Sequence, residues 1–363
     1  MKRFVAALFV ALMLLPGLAL ASSYKVGIVT PTLSSSEDEF RGAQRVAEKY
    51  PGRIKHISLP ENYSEEQETA ITQIMSLGAD PEVKAIVICA GYSGILPAIQ
   101  KIKEKRPDMV VVTAPIWDDP DMMAKYVDLC LDTDWVKRGE TIPEKAHKMG
   151  AKTFIHYSFP THMAKEVLAK RRDMMRETCK KLGMEFVEVM TPDPTTGAGP
   201  GPMLQFLQED IPRQIAKYGK DTCIFGTNCP MQDVIIAKAL DLKFIMAEQC
   251  CPTPTQGFPA AMGLEIAPED AGNFDKINAM IKEHAAEAGC AGRLSTWPTP
   301  VGYFFPEFGT DVAMDMVDGK LKDVSIESLK PIAKKVAGAD VAFAKMKPEI
   351  DNYYLIIMDS IYY

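Results

Sequence analysis

Residues 83–89 read Val-Lys-Ala-Ile-Val-Ile-Cys, and residues 109–114 read Met-Val-Val-Val-Thr-Ala. Neither run shows the polar alternation of a half-exposed strand. Such strands are buried on both faces, as in a parallel sheet covered by helices. Helical spacing lies between them: Ile95, Leu96, Ile99 and Ile102 recur at periods of three and four, and Pro107 forces an end. Upstream, residues 25–30 and 54–59 read as strands. Two capping-box pairs, Ser36 with Glu39 and Ser64 with Gln67, open the helices that follow them. A fifth, shorter strand is expected at 127–131. Right-handed crossovers then wind residues 24–132 into a doubly wound sheet.

The same order of elements starts again. Strands are expected at 152–157, 185–190, 222–226 and 244–247, with helices at 163–182, 203–215 and 233–240. A Gly-, Pro- and Thr-rich stretch at 191–202 reads as a loop. Further on, 267–289 reads as a helix, 297–305 as an extended aromatic segment and 310–317 as a helix. The predicted class is α/β, with two doubly wound parallel-sheet lobes joined by hinge crossovers. Lobe one takes residues 22–132 and 299–345, lobe two takes 133–298, and 346–363 is left as a C-terminal tail.

The first residues stand apart from this pattern. Lys2 and Arg3 precede an apolar run at 4–15, Pro16 and Gly17 break it, and Ala19-Leu20-Ala21 closes it. That is the layout of a secretory signal peptide over residues 1–21. The run is shorter than the roughly 20 residues a membrane span needs. A periplasmic or otherwise secreted, soluble protein is expected. The formal charge is −7; without Lys2 and Arg3 the balance is 39 basic against 48 acidic residues, or −9. That excess of acid speaks against nucleic acid or an anionic membrane surface as a partner. The eight cysteines contain no CxxC pair. Most fall in apolar stretches, as buried free thiols do, with Cys223–Cys229 as the main disulfide alternative.

Several segments resemble the type 1 periplasmic binding proteins, the sugar- and nucleoside-binding group. Residues 25–50 are similar to that family's first strand, ligand loop and first helix. Cys130-Leu131-Asp132-Thr133-Asp134 followed by Gly139 resembles its first crossover. Arg171-Arg172-Asp173 lies where the family often places an Arg. Phe225-Gly226-Thr227-Asn228 resembles a strand ending in Asn-Asp, although Cys229 stands where the Asp would be. Residues 298–319, with Phe308-Gly309 and the ending Asp318-Gly319-Lys320, resemble the return crossover. Extra sequence at 256–294 departs from the simple sugar binders. The nearest likeness is to an uncharacterised exported family of anaerobic bacteria. The resemblance implies an apo form that is open and hinged near 132–136 and 296–300.

In open α/β sheets, ligands sit beyond the carboxyl ends of the strands. Those loops supply the candidate ligand-binding residues Ser34, Ser35, Tyr92, Ser93, Trp117, Asp118, Asp134, Trp135, Tyr157, Arg172, Asn228 and Glu248, with Trp297 and Arg171 nearby. Trp117, Trp135 and Tyr157 can stack on a ring or a sugar face, or pack as rim aromatics. The acids can accept hydroxyl or amine donors, or stay solvated. The helix start beside Gly91 and Gly94 can hold an anion, or be a tight turn. No motif for a nucleotide cofactor, a metal or a serine nucleophile is present, so no cofactor, metal or catalytic residue is expected. Cys229, near a helix start, is the one candidate nucleophile, without a sequence neighbour to activate it. The expected role is a solute-binding protein that captures a small polar molecule (a sugar, a nucleoside or an amine-bearing metabolite) for an ABC-type membrane permease. The alternative is a ligand-sensing accessory of a membrane receptor. A monomer is expected, and no helix-turn-helix segment precedes Tyr24.

Overall fold

Unbroken apolar strands need cover on both sides, and the computed structural model supplies it. It describes residues 24–363 except 64, 116 and 196–198. The signal-peptide reading of 1–21, and the capping pair at Ser64, lie outside the described residues.

The first half runs β1 (Lys25–Thr30), α1 (Glu37–Lys49), β2 (Ile54–Ser58), α2 (Gln67–Ala79), β3 (Val83–Ile88), α3 (Leu96–Lys105), β4 (Val110–Thr113), α4 (Pro120–Tyr126) and β5 (Leu129–Thr133). Next come α5 (Arg138–Lys148), β6 (Thr153–Ser158), α6 (Pro160–Met163), α7 (Glu166–Lys181), β7 (Glu185–Met190), α8 (Gly201–Tyr218), β8 (Thr222–Gly226), α9 (Met231–Leu242), α10 (Phe258–Met262) and α11 (Phe274–Glu287). The chain ends with β9 (Ser295–Thr296), α12 (Val301–Val317), α13 (Ile326–Ala337), β10 (Val341–Lys345), β11 (Tyr353–Met358) and β12 (Ile361–Tyr362).

Seven strands form one sheet in the order β10-β11-β5-β4-β3-β1-β2, parallel throughout except for the β10–β11 pair. Side chains of β3 show why its sequence is apolar throughout. Ala85 and Val87 enter the core beneath Phe304, Phe305 and Phe308 of α12, whereas Ile86 and Ile88 enter the core beneath α2 and α3. Burying each large side chain contributes about 1.5–3 kcal/mol. The second sheet is parallel, in the order β7-β6-β8, and single bridges through Ile245 and Met246 extend it. Phe154 packs against α5 and α7 on one side of it, while Ile155 packs against α8 and α9 on the other.

Two stretches depart from expectation. Residues 297–305 are not extended as a whole: helix α12 begins at Val301, and Phe304 stacks on Phe308 one turn later, 5.0 Å between ring centroids. An aromatic, β-prone stretch became helix because α12 is buried nearly all round, where packing overrides propensity. Residues 346–363 are not a detached tail. They supply β11, an inner strand of the first sheet, and then cross back so that β12 pairs with β9. The crossings between the sheets therefore number three among the described residues: after β5, before α12 and between β11 and β12.

The thiols of all eight cysteines are free, and Cys223 is buried inside β8, which removes the Cys223–Cys229 alternative. No helix among the described residues is long and apolar enough to cross a membrane.

Candidate functional site

The carboxyl ends of both sheets open onto a shared cleft of about 900 Å³. The β1–α1 loop and α1 start bring Ser35 and Asp38, the loops after β3 and β4 bring Tyr92 and Trp117, and the first crossing brings Asp132 and Trp135. From lobe two come Cys229, Cys251, Thr255 and Gln256, and Tyr303 of α12 closes one side.

Hydrogen bonds fix the lobe-one wall. Trp117 N–H donates to the Tyr92 carbonyl at 3.1 Å, and Ser93 Oγ donates to the Trp117 carbonyl at 2.8 Å. Tyr92 stacks on Tyr63 at 4.2 Å, and the Tyr63 hydroxyl donates to the Ser93 carbonyl at 2.8 Å. Two loops from different strands are thereby joined into one surface. Trp117 projects from it with 63% of its surface exposed. An exposed indole on a loop tied by these hydrogen bonds is a ready stacking platform.

Two cleft carboxyls are perturbed. Burial, then the neighbouring Glu39 and Glu37 charges, push Asp38 up to about 7. Burial also raises Asp132 to about 6, against the Thr133 N–H that donates to its carboxylate at 2.6 Å. Both carboxyls are partly buried and less readily ionised than in water, and each keeps oxygen lone pairs that a donor arriving in the cleft can meet.

The floor on the lobe-two side is sulfur-rich. Cys229 and Cys251 place their Sγ atoms 3.4 Å apart. Beneath them Cys250 Sγ donates to the Thr227 carbonyl at 3.1 Å, and Arg171 Nη2 approaches that sulfur at 3.6 Å. Arg171 is fully buried, its guanidinium lying over Phe225 and Trp135, and its Nε and Nη1 have no partner among the described residues. Among the described residues no group of His, Cys, Asp and Glu is arranged to hold a metal ion.

The family model described as Protein of unknown function (DUF3798) matches residues 24–295. The chain belongs to the DUF3798 family. An uncharacterized protein of Treponema pallidum (strain Nichols) is 31% identical over 185 residues, 49% of this chain and 84% of the relative. A crystal structure from Clostridium difficile 630, named "Putative transcriptional regulator", superposes with a TM-score of 0.90 at 38% identity, covering 94% of this chain and 99% of that one. AraP, an arabinose binding protein from Geobacillus stearothermophilus, superposes with a TM-score of 0.51 at 11% identity, covering 92% and 96% of the two chains. The fold is that of the type 1 periplasmic sugar-binding proteins, as the resemblance implied.

Of the twelve residues singled out in sequence, this DUF3798 chain brings Ser35, Tyr92, Trp117 and Trp135 to the cleft. The others are used elsewhere. Ser34 Oγ donates to Glu61 at 2.8 Å, as Ser35 Oγ does at 3.0 Å. Ser93 ties the loops together. Asp118 accepts the Gly94, Ile95 and Leu96 N–H groups at 2.7, 3.0 and 3.1 Å. The helix start that looked free for an anion is thus filled by the chain's own carboxylate. Asp134 caps α5 through Lys137 N–H at 2.9 Å. Tyr157 is buried in the lobe-two core, its hydroxyl donating to Asp210 at 2.9 Å. Arg172 points outward to Asp173 and Glu188, and Arg171 is the arginine that faces inward. Asn228 holds Gln232 through its backbone carbonyl at 3.2 Å and does not line the cleft. Glu248 is buried, as is Trp297, whose Nε1 donates to it at 3.1 Å. Ser36 does not cap α1 through its side chain, which is taken up by the Glu39 carboxylate.

The sequence held a signal for which of the two adjacent arginines faces inward, but none for the pairing of the two cleft cysteines. Arg171 shares one helical face with Met175, Thr178 and Cys179, all buried. The Cys229–Cys251 meeting had none, because the two lie 22 positions apart on different loops. The Asp118 cap carries a direct prediction. Asp118→Ala leaves three N–H groups of α3 without their acceptor and lowers stability by about 2 kcal/mol, whereas Asp118→Asn keeps one acceptor oxygen and loses less. Urea unfolding of the two variants measures the difference.

Proposed function

We propose that this protein is an extracytoplasmic solute-binding protein that captures a small polar molecule between its lobes and presents the closed form to an ABC-type permease. The observation that carries the reading is the cleft itself: a cavity of about 900 Å³, at the carboxyl edges of two parallel sheets, lined from both lobes. Its size is that of a site for a metabolite. Trp117, Trp135 and Tyr92 offer flat apolar faces, and Asp38 and Asp132 offer acceptors for hydroxyl or amine donors. The sugar-binding proteins of the same fold support a small-molecule ligand, and the formal charge of −7 runs against a nucleic-acid partner.

Mechanism follows from the connections. A ligand that touches both lobes gains its full set of contacts only on closure, so binding shifts the population toward the closed form. The three crossings are where the backbone bends. A thermal-shift screen of sugars, nucleosides and amine-bearing metabolites tests the reading. A hit is expected in one of these classes, and Trp117→Ala should weaken it about tenfold, the loss of roughly 1.4 kcal/mol. A hit whose affinity ignores both Trp117→Ala and Trp135→Ala would place the ligand outside the cleft.

A further inference from the structure

We infer that Cys229 and Cys251 form a redox-active dithiol on the floor of the cleft, which a low-molecular-weight disulfide converts into an intramolecular Cys229–Cys251 bond. The inference goes beyond solute binding and stands without it.

Three observations carry it. The two sulfurs are already 3.4 Å apart, on loops that follow β8 and the 244–247 segment. Both are half-buried and line the cleft, so a small reagent reaches them, whereas Cys89, Cys130, Cys179, Cys223, Cys250 and Cys290 are buried. The surroundings favour a thiolate at one end of the pair. Cys229 lies just ahead of α9, where the helix N-terminus stabilises negative charge. The buried Arg171 guanidinium, with two nitrogens lacking a partner among the described residues, stands against Cys250, whose thiol proton is committed to the Thr227 carbonyl, and Cys229 Sγ lies 3.4 Å from Cys251 Sγ. The Cys251 hydrogen bond holds the Cys229 thiol below its ordinary range, and Cys251 itself is pushed up to about 12. One thiol is set to attack and its neighbour to resolve.

The chemistry balances with a disulfide RSSR as oxidant. Cys229 thiolate attacks one sulfur of RSSR, forming a mixed disulfide and releasing RS⁻. Cys251 then gives up its proton and attacks Cys229 Sγ. The Cys229–Cys251 bond forms, a second RS⁻ leaves, and two electrons have passed from the protein to RSSR. Both loops belong to lobe two, so the bond stiffens one wall without locking the hinge.

The test uses the reduced full-length chain and oxidised glutathione, followed by alkylation and peptide mapping by mass spectrometry. The expected product is a Cys229–Cys251 cross-linked peptide, with the other six thiols alkylated. Cys251→Ser should stall as a glutathione mixed disulfide at Cys229. Cys229→Ser should react about tenfold more slowly, because the remaining thiol lacks the stabilised charge. The wild-type map alone can overturn the inference: a bond to Cys250, or no loss of thiols under native conditions, contradicts it. Equal reaction rates for the two serine variants would contradict the assigned roles.

Discussion

A Glu248→Gln chain is expected to unfold about 3–5 kcal/mol more readily than its parent, the usual cost of breaking a buried ion pair on one side. Glu248 is 1% exposed and was a ligand candidate in sequence, yet its contacts belong to the hinge. Arg138 Nε donates to it at 2.8 Å, and Lys145 reaches its other oxygen; both sit on α5, just past the first crossing. Trp297, at the second crossing, donates its indole N–H at 3.1 Å, and Ser360, at the third, lies 3.4 Å away. One carboxylate thus gathers all three connections. Removing its charge leaves the fully buried Arg138 without a counter-ion, facing neutral acceptors: the Gln amide oxygen and the Gln249 and Cys250 carbonyls.

The sign with pH follows from the same contacts. Burial raises the Glu248 carboxyl, but Lys145 and Arg138 outweigh it and hold it below its ordinary value. A carboxyl lowered in the folded state stabilises above its unfolded value, about 4.3, and loses that contribution as pH falls through the lower folded value. The difference between parent and Glu248→Gln should therefore be full at pH 7 and shrink below about pH 4. Urea midpoints at both pH values measure it. A change under about 1 kcal/mol at pH 7 would mean that the pair is not structural.

The second large effect lies where α5 crosses α7. A Cβ at Gly139 would stand 2.5 Å from the Arg171 carbonyl oxygen and 2.7 Å from Met174 Cβ. Neither atom is the far end of a flexible side chain. Gly139→Val must therefore push the two helices apart, at a cost of about 3 kcal/mol or more. The displacement would also move Arg138 and Arg171, the neighbours of the clash, away from Glu248 and Cys250. Gly201→Ala is the control: nothing among the described residues lies within 4 Å of its Cβ position at the start of α8. That variant should match or slightly exceed the parent, because Ala loses less backbone freedom on folding. Thermal unfolding of both variants separates the close approach from the generic effect of replacing a glycine.

Much of the first lobe is legible from its amino acids because β3 and β4 are buried on both faces and carry no polar alternation. Inner strand β11, Tyr-Tyr-Leu-Ile-Ile-Met, has equally apolar composition. Its partner β5 lies far away in sequence, and local pattern carries no information on distant pairing. The site was less legible for a different reason. Acids near strand ends look alike in sequence, whether they face a ligand or a helix start. Asp134 could have been assigned as a cap, since α5 begins a few residues on. Asp118 could not, because the helix it caps starts 22 positions earlier. Trp117 and Trp135 line the cleft, because rim loops of a doubly wound sheet have few other sites for large rings.

The most direct test of the account is native mass spectrometry of freshly purified chain, with small-angle scattering before and after ligand removal. A discrete small-molecule adduct is expected, together with expansion of the particle when the adduct is stripped and compaction when it is restored. A chain that carries no adduct, takes up none from the three metabolite classes and keeps one radius of gyration throughout would contradict capture between closing lobes.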